Sequence, residues 1–241
     1  MKLMLFCIAL AMSAAYISGN PGANTTTRAE GNAPLDKLVQ GNERFASGTA
    51  TNFHESIERR GEVAKGQHPF AVIVGCSDSR VPPELVFDQG LGDLFVVRVA
   101  GEVLGDGALG SIEYAVEHLG CELVVVLGHE RCGAVDAVVQ GGELPGHLSA
   151  FTPAIVPVIA EAKKKGGDVL DNAVRAHAQR VARQLTDCEP TLSEYVHLGK
   201  LQIVAARYDL DSGVVEFLEP SKTARSTGRE LQPRGVERPA H

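Results

Sequence analysis

Three short apolar runs, each closed by a glycine, are the strongest pattern in the chain. They are FAVIVG at residues 70–75, DLFVVRVAG at residues 93–101 and ELVVVLG at residues 122–128. Runs of this length that are rich in β-branched residues are typical of strands buried on both faces of a parallel sheet. We therefore predict three such strands.

Apolar residues recur at helical spacing in the segments between and around these runs. The segment DGALGSIEYAVEHLG, at residues 106–120, has one apolar face and a predicted N-cap at Asp106. Further helices are predicted in PLDKLVQGNERFASG, ESIERRGEVAKG and DVLDNAVRAHAQRVARQL, and a hairpin turning at residues 211–213 is predicted in LQIVAARYDLDSGVVEFLE. This alternation predicts an α/β fold: an open, mostly parallel sheet of about four parallel strands plus an antiparallel edge strand, flanked by helices.

The two ends of the chain differ in character from its middle. Residues 1–19 start with Met1-Lys2 and continue into a short apolar run followed by small residues, which is typical of a secretory signal peptide. We predict a flexible leader at residues 20–33, a single catalytic domain at residues 34–220 and a disordered tail at residues 221–241. We therefore expect an exported protein, periplasmic or alternatively secreted. The other interpretation of residues 1–19 is a buried helix of a cytosolic protein.

The overall composition is that of a globular protein with an acidic balance. The 241 residues are 44% hydrophobic and 22% charged, and their formal net charge is −7. An acidic surface disfavours binding to nucleic acid or to an anionic membrane, and no second apolar stretch is long enough to span a bilayer. We expect a protein that binds neither nucleic acid nor membrane.

Two of the predicted strands are followed by residues that bind soft metals. Cys76 directly follows the first strand, and the motif GHERCG places His129 and Cys132 directly after the third. Because ligand sites in open α/β sheets lie at the carboxyl ends of the strands, these three side chains can converge. Two thiolates and one imidazole favour zinc, and three protein ligands leave the open position of a catalytic site.

Disulfide bonds are the alternative use for the cysteines of an exported protein. Cys121 precedes its strand and is expected at the opposite edge of the sheet, and Cys188 follows a distant helix. Neither is placed to complete the metal site. A redox module with a Cys76–Cys132 disulfide stays open as a second hypothesis.

An acid and an arginine follow Cys76 at intervals of two residues. Two thiolates neutralise the charge of a zinc ion, so water bound to it needs further help to ionise near neutral pH. Asp78 could accept a hydrogen bond from the hydroxide or occupy the open position itself. Arg80 could keep Asp78 ionised through a bidentate ion pair. We predict Asp78 and Arg80 as the catalytic pair beside the metal.

The motif CSDSRV at residues 76–81, together with GHERCG at residues 128–133, resembles the β-class carbonic anhydrases. The resemblance extends to GNERF, AKGQHPF, GSIEYAVEHLG and YDLDSGVVEFL, and it covers residues 35–218. It implies an enzyme that binds one Zn²⁺ per subunit through Cys76, His129 and Cys132. It also implies reversible hydration of carbon dioxide to bicarbonate and a proton through a zinc-bound hydroxide, with Asp78 and Arg80 as the catalytic pair.

The resemblance further implies a substrate pocket and an oligomer. Gln67 matches a glutamine that hydrogen-bonds substrate, and it favours the openly active subtype over the one with an allosteric bicarbonate site. Phe95 and Tyr114 match aromatic walls of the pocket, and Ala100 lies where the family often has a small apolar residue. Members are dimers or tetramers whose pocket is completed across the subunit interface, so we expect a homodimer or homotetramer. The segment VAGE at residues 99–102 departs from the NAGN-like sequence that is common in the family.

Other functions remain as hypotheses at this point. Hydrolysis of carbon disulfide or carbonyl sulfide is known in the same family on the same ligands. The segment GDGALG, at residues 105–110, matches a dinucleotide-binding fingerprint, with Glu130 near the position of a ribose-binding acid. No proton acceptor can be assigned among four further histidines, all expected at the surface, namely His118, His147, His177 and His197.

Overall fold

The computed structural model describes residues 33–219 of the chain. The predicted signal peptide, almost all of the predicted leader and the predicted tail lie outside these residues and stay predictions. The helices are α1 (Ala33–Ala46), α2 (Ile57–Val63), α3 (Pro83–Val86), α4 (Asp106–Glu117), α5 (Gly133–Gln140), α6 (Phe151–Lys164), α7 (Val169–Thr186) and α8 (Thr191–His197). The strands are β1 (Ala71–Gly75), β2 (Leu94–Arg98), β3 (Leu123–His129), β4 (Gln202–Tyr208) and β5 (Val215–Leu218).

The five strands form one sheet in the order β2-β1-β3-β4-β5. The first four strands of this order are parallel, and β5 pairs antiparallel with β4. Gly213 donates its backbone N–H to the Asp209 oxygen at 2.9 Å, which closes the predicted hairpin turn. The predicted fold class, including the antiparallel edge strand, is confirmed.

The core lies on both faces of the sheet. Every residue of β1 and β3 is buried. Side chains alternate between the faces: Val72 and Val74 pack with α4, α7 and α8, whereas Ile73 packs with α1 and α3. Each such side chain contributes about 1.5–3 kcal/mol when fully buried, which fixes these two strands firmly in the middle of the fold.

Two details differ from the sequence-based expectation. The prediction of burial on both faces is wrong for β2, where only Val97 is buried, because β2 is at the edge of the sheet and has a neighbour on one side only. Asp106 is the first residue of α4, and Gly105 is its N-cap, so the predicted side-chain cap is not formed. None of the helices between residues 33 and 219 is long and apolar enough to cross a lipid bilayer.

Candidate metal centre

The three predicted ligands converge at the carboxyl edge of the sheet. Cys76 directly follows β1, and His129 is the last residue of β3, the parallel neighbour of β1. Cys132 immediately precedes α5 and is its N-cap residue. One ligand atom from each residue lies within 4.8 Å of the other two, and all three residues are buried. The cluster could hold a metal ion.

The imidazole of His129 is fully buried, and one of its ring nitrogens is unsatisfied. Nδ1 lies 2.9 Å from the backbone oxygen of Glu130. Because a carbonyl oxygen only accepts hydrogen bonds, Nδ1 carries the ring proton and the lone pair is on Nε2. No hydrogen-bond partner for Nε2 exists within the described chain. A buried imidazole lone pair beside two sulfur atoms fits a soft divalent metal.

Cys76 and Cys132 are free thiols that interact directly. The hydrogen bond from Cys132 lowers the pKa of the Cys76 thiol well below its usual range, against the effect of burial, and the backbone N–H of Gly101 contributes in the same direction. The same hydrogen bond and burial raise the pKa of Cys132 far above its usual range. Because the two shifts are opposite, Cys76 loses its proton before Cys132 does, and a bound cation would favour loss of the second proton as well.

Asp78 and Arg80 form the predicted pair beside this cluster. Arg80 donates from Nε and Nη2 to the two carboxylate oxygens of Asp78, at 2.9 and 2.7 Å. These hydrogen bonds hold the pKa of Asp78 well below its usual range, although partial burial opposes them. Asp78 Oδ2 lies 3.8 Å from His129 Nε2, so an ionised carboxylate faces the unsatisfied nitrogen.

Two residues that support the site were not identified from the sequence. Arg98, at the end of β2, donates to the backbone oxygens of Cys76 and Asp78 at 2.8 and 2.5 Å. Gly101 donates its backbone N–H to the Cys76 sulfur at 3.3 Å. The sequence does carry a signal for Arg98. A charged residue at the end of an apolar strand needs partners at the edge of the sheet, so it is a candidate for a supporting role. The sequence carries no comparable signal for a backbone N–H.

Of the four predicted pocket residues, only Ala100 lies beside the metal cluster of the same chain. Ala100 begins the single turn of 3₁₀ helix Ala100–Glu102 that contains Gly101, and so it lies beside Cys76. Phe95 pairs with Val72, near the other end of the sheet, and contacts the half-exposed Tyr114 at a ring-centroid distance of 6.4 Å. Gln67 is exposed on the connection that precedes β1. Their assignment to the pocket stays a prediction.

Cys121 and Glu130, the acid of the dinucleotide hypothesis, make hydrogen bonds to other parts of the protein. Cys121 precedes β3 and donates to the Pro69 backbone oxygen at 3.2 Å, at the opposite end of the strand from His129. The Glu130 carboxylate accepts hydrogen bonds from Arg131 and from the backbone N–H of Leu210. A ribose-binding role for Glu130 has no structural support, because both oxygens are engaged within the protein.

Comparisons with known proteins agree with this fold. A family model described as carbonic anhydrase matches residues 71–215. Carbonic anhydrase 2 of Mycobacterium tuberculosis is 42% identical over 180 residues, which are 73% of this chain and 87% of that protein. The carbonic anhydrase of Mycolicibacterium smegmatis is 41% identical over 184 residues, 75% of this chain and 89% of that protein. The solved structure of the β-carbonic anhydrase CafA of Aspergillus fumigatus has a TM-score of 0.63 at 28% identity, and the match covers 78% of this chain and 92% of that chain.

A mostly parallel sheet with a buried Cys-His-Cys cluster at its carboxyl edge, together with these relatives, defines an α/β enzyme whose cluster could hold a metal ion. The chain belongs to the β-class carbonic anhydrase family.

Replacing Cys76 by serine should abolish metal binding, because the hydroxyl of serine is a far weaker ligand than a thiolate for a soft metal. Metal analysis of the purified variant should show well below one ion per chain. Cys121→Ser is the matched control, since it removes a buried thiol that lies outside the cluster. The control should keep its metal, and a fully metallated Cys76→Ser protein would contradict the ligand assignment.

Proposed function

We propose that the protein catalyses the reversible hydration of carbon dioxide to bicarbonate and a proton, with one zinc ion per subunit. The observation that carries this proposal is the buried Cys76–His129–Cys132 cluster with the ionised Asp78 directly beside it. The names of the relatives support the substrate, since they are carbonic anhydrases.

Cys76, His129 and Cys132 would hold the ion. Two sulfur donors and one nitrogen donor suit zinc better than calcium or magnesium, which prefer oxygen. When bound, zinc supplies a Lewis acid that lowers the pKa of water and so provides a nucleophile near neutral pH. Three protein donors leave a coordination position free, as catalytic sites require.

Asp78 acts as a hydrogen-bond acceptor for the attacking water. The bidentate contact with Arg80 keeps its pKa low, so the carboxylate cannot donate and stays an acceptor across the physiological range. An acceptor at this point turns an O–H of the water toward itself and leaves a lone pair directed at the carbon of carbon dioxide. Attack on that carbon yields bicarbonate and one proton.

Arg98 and Gly101 hold these groups in position. Arg98 fixes the backbone on both sides of the Cys76–Asp78 segment, and the N–H of Gly101 stabilises negative charge on the Cys76 sulfur. A Cβ at residue 101 would approach the Ala134 side chain to 2.9 Å, and φ is +62° there, so this close approach requires glycine. The site is thus built before substrate arrives.

We also propose that the protein is a homodimer or homotetramer in which a second subunit completes the pocket. Gln67, Phe95 and Tyr114 lie away from the cluster of their own chain, and β2, which carries Phe95, is an edge strand. Several large apolar side chains are exposed in the single chain, among them Phe53, Ile57, Leu91 and Tyr114. Exposed apolar surface of this kind favours self-association.

Export to the periplasm is the remaining part of the proposal. It rests on the signal-peptide pattern of residues 1–19.

Replacing Asp78 by asparagine should leave metal content unchanged and lower kcat/KM for carbon dioxide hydration by at least about 100-fold, because the attacking water loses the acceptor that orients it. Asparagine keeps the shape of the side chain, but its charge is lost and one acceptor oxygen becomes a donor. Stopped-flow hydration assays with metal analysis measure both quantities.

Asp168→Asn is the control for the loss of one negative charge. Asp168 caps α7 through hydrogen bonds to two backbone N–H groups, a role that asparagine fills equally well. Full hydration activity in the Asp78→Asn protein would remove Asp78 from the mechanism.

Sedimentation velocity should give a mass of at least two chains for the wild-type protein. Replacing Tyr114 by aspartate should shift the protein toward monomer, because it places a charge in the proposed interface. Glu113→Gln, one residue away on the same helix, is the control and should sediment as the wild type. A wild-type protein that sediments as a monomer would contradict the proposed assembly.

Intact mass spectrometry of the protein recovered from the periplasm should show a chain shortened near residue 19. Recovery of the full-length chain from the cytoplasm alone would contradict export.

A further inference from the structure

A second cavity lies beside the turn Ala100–Glu102 and is separate from the metal cluster. Its volume is about 200 Å³. The turn, α4, α6 and α7 contribute its walls, which are apolar apart from a few polar side chains. Neither the two cysteines nor the histidine of the cluster lines it.

Two buried polar side chains in this cavity have unsatisfied atoms. Glu102 is 2% exposed and His177 is 1% exposed, so the prediction that His177 lies at the surface is wrong. Both residues line the cavity. Glu102 Oε1 and His177 Nδ1 have no hydrogen-bond partner among residues 33–219. Buried polar atoms are almost always paired, so two unpaired ones in a single cavity point to an occupant.

The hydrogen-bonding character of each group follows from its surroundings. His177 Nε2 lies 2.8 Å from the Gly101 backbone oxygen, and so Nε2 carries the proton and Nδ1 is an acceptor. Burial lowers the pKa of His177 and raises that of Glu102 well above its usual range. The cavity therefore offers an acid O–H donor and an imidazole acceptor.

The backbone of Glu102 supports a functional interpretation. Its φ is +50°, in the left-handed region that residues other than glycine rarely adopt. A strained backbone and an unsatisfied buried carboxyl at the same residue are both unfavourable for stability. Such features persist where the surrounding structure or a ligand compensates for them.

We propose that this cavity binds a small neutral molecule with a primary amide or hydroxyl group on a short apolar body. Such a group can donate to His177 Nδ1 and accept from Glu102, while the apolar part contacts Leu104, Leu109, Val181 and Leu185. The volume is below the roughly 300–1,000 Å³ of pockets for drug-sized ligands, so the molecule has few heavy atoms.

Occupancy of this site acts on the turn that supports the metal ligands. Gly101 accepts from His177 through its oxygen and donates to Cys76 through its nitrogen, and Glu102 is the next residue. A molecule held by both Glu102 and His177 therefore restrains the Gly101–Glu102 peptide unit, which directly follows that N–H donor.

Isobutyramide is a suitable probe, and NMR of protein labelled with ¹⁵N-histidine observes the acceptor nitrogen directly. Titration should move the Nδ1 resonance of His177 saturably. Isobutyrate, which has the same shape but ends in a carboxylate, should bind at least about tenfold more weakly because it has no N–H or O–H to donate to His177 Nδ1.

Ala154→Leu and Ala160→Leu are a matched pair of variants on α6. Ala154 lines the cavity, whereas Ala160 is exposed on the same helix. The first variant should weaken isobutyramide binding at least about tenfold by filling the space, and the second should leave it unchanged. Alkylation of Cys188, which also lines the cavity, should slow in the presence of isobutyramide in the wild-type protein, and this measurement needs no variant.

Three results would overturn the proposal. The first is a His177 resonance that already shows a hydrogen-bonded Nδ1 and does not respond to isobutyramide, which means that water alone fills the cavity. The second is equal affinity in the Ala154→Leu protein, which places binding elsewhere. The third is isobutyrate binding as tightly as the amide, which excludes a neutral ligand class.

Discussion

The parallel pairing of β1 with β3 is the constraint on which the site depends. It aligns Gly75 with Leu127, so Cys76 and His129 emerge at the same edge of the sheet from strands that are buried along their whole length. A slip of either strand by one residue would turn every side chain to the other face and expose apolar groups. The burial energy of the core therefore also fixes the positions of two of the three ligands.

The sequence predicted those elements whose formation depends mainly on the burial of apolar side chains. Continuous apolar runs predicted β1 and β3 because both strands are buried on both faces, and helical periodicity predicted α1, α4 and α7. The cluster could be predicted as well, since strand ends are predictable and the rule that parallel strands share a carboxyl edge brings Cys76, His129 and Cys132 together. The Asp78–Arg80 pair could be predicted from local spacing alone, because the two residues are two positions apart in the sequence.

Features that depend on tertiary neighbours were beyond prediction. The residue pattern predicts no helix at α6, where Pro157 lacks a backbone donor, yet packing of Ile155 and Val158 on the core keeps that segment helical. The partial burial of β2 follows from strand order, which periodicity does not determine. Contacts made through backbone atoms, such as Gly101 to Cys76 and Gly101 to His177, have no signature in the residue pattern.

The backbone contacts of Arg98 affect how this site can change during evolution. Its guanidinium binds the main-chain oxygens of residues 76 and 78 and neither of their side chains. The two contacts of Arg98 are therefore independent of the side chains that residues 76 and 78 carry. If residue 76 became a carboxylate or an imidazole in a descendant of this protein, the donor atoms offered to an ion would change, while the arginine would still hold the same backbone oxygens.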